Sequence, residues 1–482
     1  MKNFRKLPLI LIIFSLAIAG LWASGSREET DTSTAAESAA GAKEGAGAEE
    51  KEAKAAETGA EESASGEAPL KERRAAERGP DGILSDPGIP PVTFYKDFRT
   101  DFGRSAVYFD SIIPGGAPRD GIPALSLPHF TSVERASEWM DDAEPVLLLR
   151  YEGAVRVYPV QILMWHEIVN DRIGDVPVGV SYSPLSNTAI AFLRKGFGGE
   201  LNFGTTGLLR FSNPIMYDQE TESWWQQATG KGIVGTYAGD QLELLPVTML
   251  PWKEIEDHYG DANVMSRLTG YDWPYGQNAY EGYDSSAGPF LYVGPDLATE
   301  VNPEFGLMER VIAVRSSGSG GTGAAGDGGS EGGLKAYSYG QLREQKVISD
   351  SLDSLDGRRI VLFWQPGTSS PVDSPAVAAG RDVGSAQAYF PELNTPKADT
   401  RERDGREAEG QGKNSSTTQE NDSDIRELSF FWDGEYIRDR QTGSEWSVSG
   451  LAVNGELEGT QLAGPVTFNH FGYSWSVFKD EY

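Results

Sequence analysis

The sequence predicts an α+β fold, predominantly antiparallel β, made of two related halves, each with several strands and two short helices. Three observations predict it. At 482 residues the chain exceeds one small core, so two compact units plus tails are expected. Short β-branched and aromatic runs are punctuated by turn residues, with few long helical periods between them. The sequence also repeats itself. RVYPVQILMWHEIVND (Arg156 to Asp171) lies over KAYSYGQLREQKVISD (Lys335 to Asp350) without a gap at an offset of 179, and DQETESWW from Asp218 is matched by DRQTGSEW from Asp439. The halves run from 141 to 300 and from 301 to 482.

In chain order, Lys2, Arg5 and Lys6 precede an apolar run from Leu7 to Trp22, with small residues at Ala17, Ala19 and Ala23. Residues 1–23 read as a secretory signal peptide; an uncleaved membrane anchor is the rival. Residues 24–79, rich in Ala, Glu and Gly, have little to bury and read as a disordered acidic tether. Residues 80–140 form an entry segment packing on the body. VLLLRYEG and AVRVYPV predict a hairpin turning at Glu152 and Gly153. Val160 to Asp171 reads as a short helix, PVGVSYS as a buried strand, and AIAFLRKG-FGGE-LNFGTT as another hairpin. PWKEIEDHYG predicts a helix closing before Gly260. YDWPYGQNAYEGY, Tyr271 to Tyr283, reads as a linker between the halves, although its Tyr and Trp rings also suit sugar stacking. Residues 316–333 and 396–424 read as disordered insertions; the first lacks the Gly-Lys-Ser/Thr ending of a phosphate loop.

The formal net charge is −30, and fourteen acidic against eight basic residues give the stretch from Gly25 to Gly79 only −6 of it. An acidic body repels phosphate backbones, and no basic stripe is present, so nucleic acid and anionic membranes are poor partners. An unknown small molecule or envelope protein is the expected partner, with a membrane only if the N-terminal segment stays uncleaved. The chain has no cysteine, which rules out disulfides, thiolate metal sites and a lipid-anchoring cysteine. The expected compartment is extracytoplasmic: periplasm, cell envelope or secreted.

The candidate site centres on WHEIVNDRIGDVPVGVSYSPLSN, from Trp165 to Asn187. On a helical wheel over Val160 to Asp171 the apolar residues fill most of the circumference. His166, Glu167, Asn170 and Asp171 share the remaining arc, with His166/Asn170 and Glu167/Asp171 as i,i+4 neighbours. Such an arc is either a satisfied polar corner or a site. In the second half it becomes Gln345, Lys346, Ser349 and Asp350, so both aspartates read as structural and any chemistry belongs to the first half. Candidate catalytic residues are His166, Glu167 and Asp171; candidate ligand-binding residues are Trp165, Asn170, Tyr182, Ser183 and Ser186. A metal ion is a possible cofactor, with His166 as candidate ligand. HEIVN begins like a zinc motif but places Asn170 where a second imidazole is required, and only His129 could supply one from elsewhere. Ser183 or Ser186 beside His166 suggests a nucleophile and base, yet neither sits in a G-x-S-x-G elbow. The Asp218-Thr221-Ser223-Trp225 pattern recurs as Asp439-Thr442-Ser444-Trp446 and reads as a side-chain-held turn over a packed Trp. His258 and His470 read as isolated surface or core residues.

The order of Asp120-Gly121-Ile122-Pro123-Ala124, Tyr158-Pro159, Trp165 to Asp171, Phe203-Gly204, Gly207-Leu208-Leu209, Met216-Tyr217-Asp218 and Leu245-Pro246 resembles the domain of unknown function 3179 family. The resemblance is close from Asp120 to Ser266 and looser through the rest of the body. It implies an extracytoplasmic or envelope protein and brings no established activity. The family commonly carries Tyr-Cys-Pro-Leu-Cys where this chain has Tyr182-Ser183-Pro184-Leu185-Ser186. Two thiols there would suggest a soft-metal or redox site, which two hydroxyls cannot replace. The readings to weigh are a small-ligand or partner-binding protein, an enzyme using His166 as general base or metal ligand, and a structural module without chemistry.

Overall fold

The computed structural model describes residues 79, 81–298, 303–315, 334–352, 357–395 and 424–482. The expected signal segment, the tether before Gly79, the first insertion and nearly all of the second lie outside them. The described residues are mostly antiparallel sheet with six short α-helices: α1 Val92–Asp97, α2 Val133–Ala136, α3 Val160–His166, α4 Trp252–His258, α5 Tyr339–Gln345 and α6 Gly472–Phe478. None of these helices is long and apolar enough to cross a membrane.

Two five-stranded sheets frame the candidate site. The first is built around the hairpin of β1 (Pro145–Tyr151) and β2 (Ala154–Pro159), which turns through Glu152 and Gly153 at φ 49° and 81°. These positive angles match the twist of a two-residue hairpin turn. The second holds β3 (Ile168–Ile173), β4 (Val176–Ser183) and β5 (Thr188–Leu193) side by side. The edge strand β6 (Val247–Pro251) completes the pairing of β1. Strand β1 is apolar without alternation because both its faces are covered: Leu147 and Leu149 enter one core, Val146 and Leu148 another. A third five-stranded sheet pairs Ile112–Pro114 from the entry segment with Phe203–Arg210. Phe94, Phe98 and Phe102 from the same segment pack edge-on against Trp224.

Further along, β7 (Arg310–Val314) pairs β8 (Lys335–Ser338), and β9 (Val347–Leu352), β10 (Arg358–Gln365) and β11 (Ser385–Tyr389) form a three-stranded sheet. The C-terminal β12 (Thr467–Phe471) returns to pair β7. Every named sheet draws its strands either from before Tyr271 or from after Met308.

The helix expected over Val160 to Asp171 stops at His166. Glu167 takes φ 56° and the chain turns into β3, whose Ile168 pairs Ser181 and whose Asn170 pairs Gly179. His166/Asn170 and Glu167/Asp171 are therefore not neighbours on one helix face. The polar arc of His166, Glu167, Asn170 and Asp171 is itself buried and so faces no solvent that would hold a helical period, and the β-branched Ile168 and Val169 favour extension. The hairpin expected over residues 189–206 is likewise confined to its tip, Lys195–Gly196 with Gly199–Glu200; the flanking strands enter different sheets because each has a separate apolar partner.

The Asp-Thr-Ser-Trp turns have the expected construction. Asp218 Oδ1 accepts from Thr221 N (2.6 Å) and Thr221 Oγ1 (2.8 Å), while Oδ2 accepts from the Trp225 indole (2.9 Å). Asp439 accepts from Thr442 N (2.6 Å), Thr442 Oγ1 (2.9 Å) and Trp446 (3.0 Å). Both carboxylates are fully buried. Asp218→Ala strands a buried amide and a buried indole N–H, so it is expected to cost about 3 kcal/mol, with Asp439→Ala similar, measured by chemical denaturation.

Candidate functional site

Helix α3 starts directly after Pro159 and is fully buried through its first turns, so even Gln161 must be satisfied inside. Its Nε2 donates to Glu144 Oε2 at 2.6 Å, and its Oε1 accepts from Arg267. The helix delivers His166 to a closed position. Nδ1 lies 2.7 Å from the Pro123 carbonyl oxygen, so it carries the proton; Nε2, 2.6 Å from the Tyr275 hydroxyl, accepts from it. Tyr275 in turn meets Thr269 Oγ1 at 2.5 Å. The Trp273 ring stacks on the imidazole at 4.9 Å and 8°, and Tyr271 approaches edge-on. Burial depresses the His166 pKa to about 4, against the raising effect of the Pro123 carbonyl. The ring is thus neutral at pH 7, with both nitrogens engaged in hydrogen bonds. The Tyr271–Tyr283 segment, expected as a linker, covers His166 before crossing to Pro375 and Ala376.

Asn170 and Asp171 lie on β3 and are used by the fold. Asn170 donates to the Phe203 carbonyl (2.8 Å) and accepts the Phe203 N–H (2.9 Å), standing in for a backbone partner between two sheets. Asp171 accepts from the Tyr158 hydroxyl at 2.8 Å, as Asp350 does from Tyr337 at 2.8 Å. In the Tyr182–Ser186 turn, Ser186 N–H donates to Ser183 Oγ (3.3 Å) and Ser186 Oγ accepts from Asn213 (2.8 Å). Both serines are completely buried.

Glu167 differs from all of these. Its main chain is anchored, with N–H to the Leu163 carbonyl at 2.7 Å and its own carbonyl accepting Tyr182 N–H at 3.0 Å. Its carboxyl receives no hydrogen bond or ion pair among the described residues. The residue retains 8 % exposure, and burial alone raises its pKa to about 7. Tyr182 is its neighbour across the strand, and Tyr280 is within its electrostatic reach. The positive φ is not particular to Glu167: Lys346 has φ 65° at the end of α5 and also accepts an N–H from the next strand, from Trp364 at 2.9 Å. There the ammonium lies 3.9 Å above the Trp364 ring.

Beside Tyr182 lies a charged cluster that sequence reasoning missed. Arg310 donates to Asn187 Oδ1 (2.7 Å), Asp284 Oδ2 (3.1 Å) and Ser370 Oγ (2.8 Å), and Arg381 meets Asp284 Oδ1 at 2.7 Å. Burial works to raise the Asp284 pKa, but Arg310, Ser370 and Arg381 together hold it below the usual value. The only sequence signal was a single arginine opening the apolar run Val311 to Val314. His470, expected as an isolated residue, is buried between Tyr482 (2.6 Å) and Ser474 (3.0 Å), while His258 lies 3.9 Å from Glu254. Among the described residues no group of three or more His, Cys, Asp or Glu is placed to hold a metal ion.

Two outcomes follow. His166→Ala removes two buried hydrogen bonds and a stacked ring and is expected to cost on the order of 3 kcal/mol, read by denaturant titration. For Glu167 the folded pKa lies above the unfolded one. Its contribution is therefore complete below pH ~4.5 and is lost as pH rises to about 7. Glu167→Gln should then be more stable than the parent at pH 8 by up to ~3 kcal/mol and show no such gain at pH 4. Glu144, also raised to about 7 by burial, keeps part of the pH dependence in both proteins.

A family model described as a protein of unknown function, DUF3179, matches residues 119–482, and the chain belongs to that family. The match extends well beyond Ser266, through the charged cluster to the C-terminus. No curated protein and no solved structure matches the chain.

Proposed function

We propose that this is an exported protein that binds a small ligand in its first half, with Glu167 as the recognition group. The observation that carries the reading is the Glu167 carboxyl, buried yet not sealed, raised to about 7 and without a donor or cation against it. Burying a carboxyl without a partner costs stability, and such groups concentrate at functional sites. A ligand that presents an ammonium or hydroxyl group recovers that cost. Trp165, Tyr182 and Tyr280 supply aromatic walls. His166, Asn170, Asp171, Ser183 and Ser186 act as the frame that fixes the walls. A carboxyl near neutral pKa also suits proton transfer, so an acid–base enzyme working through Glu167 is the second reading.

The body is read as two related halves, 141–300 and 301–482. Support comes from the paired Tyr158–Asp171 and Tyr337–Asp350 bonds, the two Asp-centred turns, and the shared bend at Glu167 and Lys346. Glutamate in one bend and lysine in the other is the reason for assigning the site to the first half. Export rests on the basic start, the apolar run to Trp22 and the small residues after it.

The test is a thermal-shift screen of small amines, amino acids and polyols at pH 7.5 on the parent and Glu167→Gln. At least one compound is expected to raise the parent's Tm by several degrees and to lose tenfold or more in affinity in the variant. A panel that stabilises neither protein, or both equally, would sink the proposal.

A further inference from the structure

We infer that a second ligand site lies between β1 and β11, built to hold a small organic carboxylate against Arg150. A cavity of about 340 Å³ is walled by Leu148 and Arg150 of β1, Thr248 of β6, Gln387 and Tyr389 of β11, and Leu462. Period-two alternation sets it up. Leu147 and Leu149 leave β1 toward one core and Leu148 toward the other, so Arg150 is the next residue on the face of Leu148.

A cation on that face needs a reason, and the described residues give it none. The buried arginines elsewhere each meet a carboxylate: Arg194 with Glu200 at 2.8 Å, Arg210 with Glu481 at 2.6 Å, Arg310 with Asp284 at 3.1 Å. The side chain of Arg150 is half-buried and makes no hydrogen bond, ion pair or ring stacking to any described residue, in a chain of formal charge −30. Its electrostatic neighbours are the phenols of Tyr259 and Tyr389. The two tyrosines also feel the carboxyl of Glu254, whose pKa burial raises, and no ion pair joins Glu254 to Arg150 among the described residues.

Gln387 supplies the second, independent observation. It is 2 % exposed, its Oε1 accepts from Thr467 at 2.9 Å, and its Nε2 has no acceptor among the described residues. That amide borders the same cavity as the Arg150 side chain, so its N–H groups are available to a ligand there. The other polar groups there are spent: the Tyr389 hydroxyl on the Val448 carbonyl at 2.8 Å, and Gln461 Nε2 on the Ser449 carbonyl at 2.8 Å. Two donors and no available acid define a site for an acceptor. A carboxylate matches the planar guanidinium fork, and Leu148 and Leu462 can receive a short carbon body. The volume falls at the small end of ligand pockets.

The test is isothermal titration of the full chain, at pH 7.5 and low salt, with benzoate, succinate and inorganic phosphate. Parent, Arg150→Gln, Arg150→Lys, Gln387→Leu and Glu167→Gln are compared. One carboxylate is expected to bind the parent saturably at one per chain. Affinity should fall tenfold or more in Arg150→Gln, less in Arg150→Lys, several-fold in Gln387→Leu, and not at all in Glu167→Gln, which separates this site from the one proposed above. Absence of carboxylate binding, equal binding in Arg150→Gln, or binding of phosphate alone overturns the inference. If Arg150→Gln does not fold, Arg150→Lys and Gln387→Leu decide, the latter removing the cavity-lining amide together with the acceptor of Thr467 Oγ1.

Discussion

The bend at Glu167 is the constraint on which the first half depends. A residue with φ 56° must end α3, because only there can its N–H close on Leu163 while its carbonyl takes the Tyr182 N–H. Those two bonds convert a helix into the strand that starts the β3–β4–β5 ladder. L-residues pay for positive φ, so the position persists only where packing over-determines it. Lys346 meets the same demand with the same pair of bonds. The geometry of the bend therefore belongs to the fold, and only the side chain carried on it is available for function.

Around that bend the polar groups divide by whether they have partners. His166 is enclosed by a carbonyl, a phenol and three aromatic rings, a position where a neutral imidazole is a good structural element and a poor base. Asn170 copies the hydrogen-bonding pattern of a peptide unit toward Phe203. Arg310 and Asp284 neutralise one another with Asn187, Ser370 and Arg381 in attendance. Beside these bonded groups, the carboxyl of Glu167 and the guanidinium of Arg150 meet no hydrogen-bond or ion-pair partner among the described residues.

The serines of the Tyr182–Ser186 turn bear on the family. Ser183 Oγ accepts the Ser186 N–H, and Ser186 Oγ accepts from Asn213, which also reaches Gln227 at 2.7 Å. Hydroxyls accept such bonds better than thiols do, so these serines are part of a buried hydrogen-bonded network. The turn keeps its position relative to Glu167 through the Tyr182 amide, whatever residue stands at 183.

The sequence by itself determined the β-rich α+β class, the hairpin at Glu152–Gly153, the strand over PVGVSYS, the helix before Gly260 and the Asp-Thr-Ser-Trp turns. Each of these follows from local chemistry: alternation, turn residues, or a side chain bonding its own backbone two or three residues on. It could not determine where α3 stops, because apolar residues around most of a helical wheel suit a buried helix and a buried strand alike. Nor could it separate His166 from Glu167, since the partners that close His166 come from about 40 and 110 positions away, at Pro123 and Tyr275. Only the tertiary structure decided which of them has both polar atoms bonded and which carries a carboxyl without a partner among the described residues, and it alone brought Arg150 and Gln387 to one cavity. Partner satisfaction is a property of long-range contacts, and no short stretch of sequence records it.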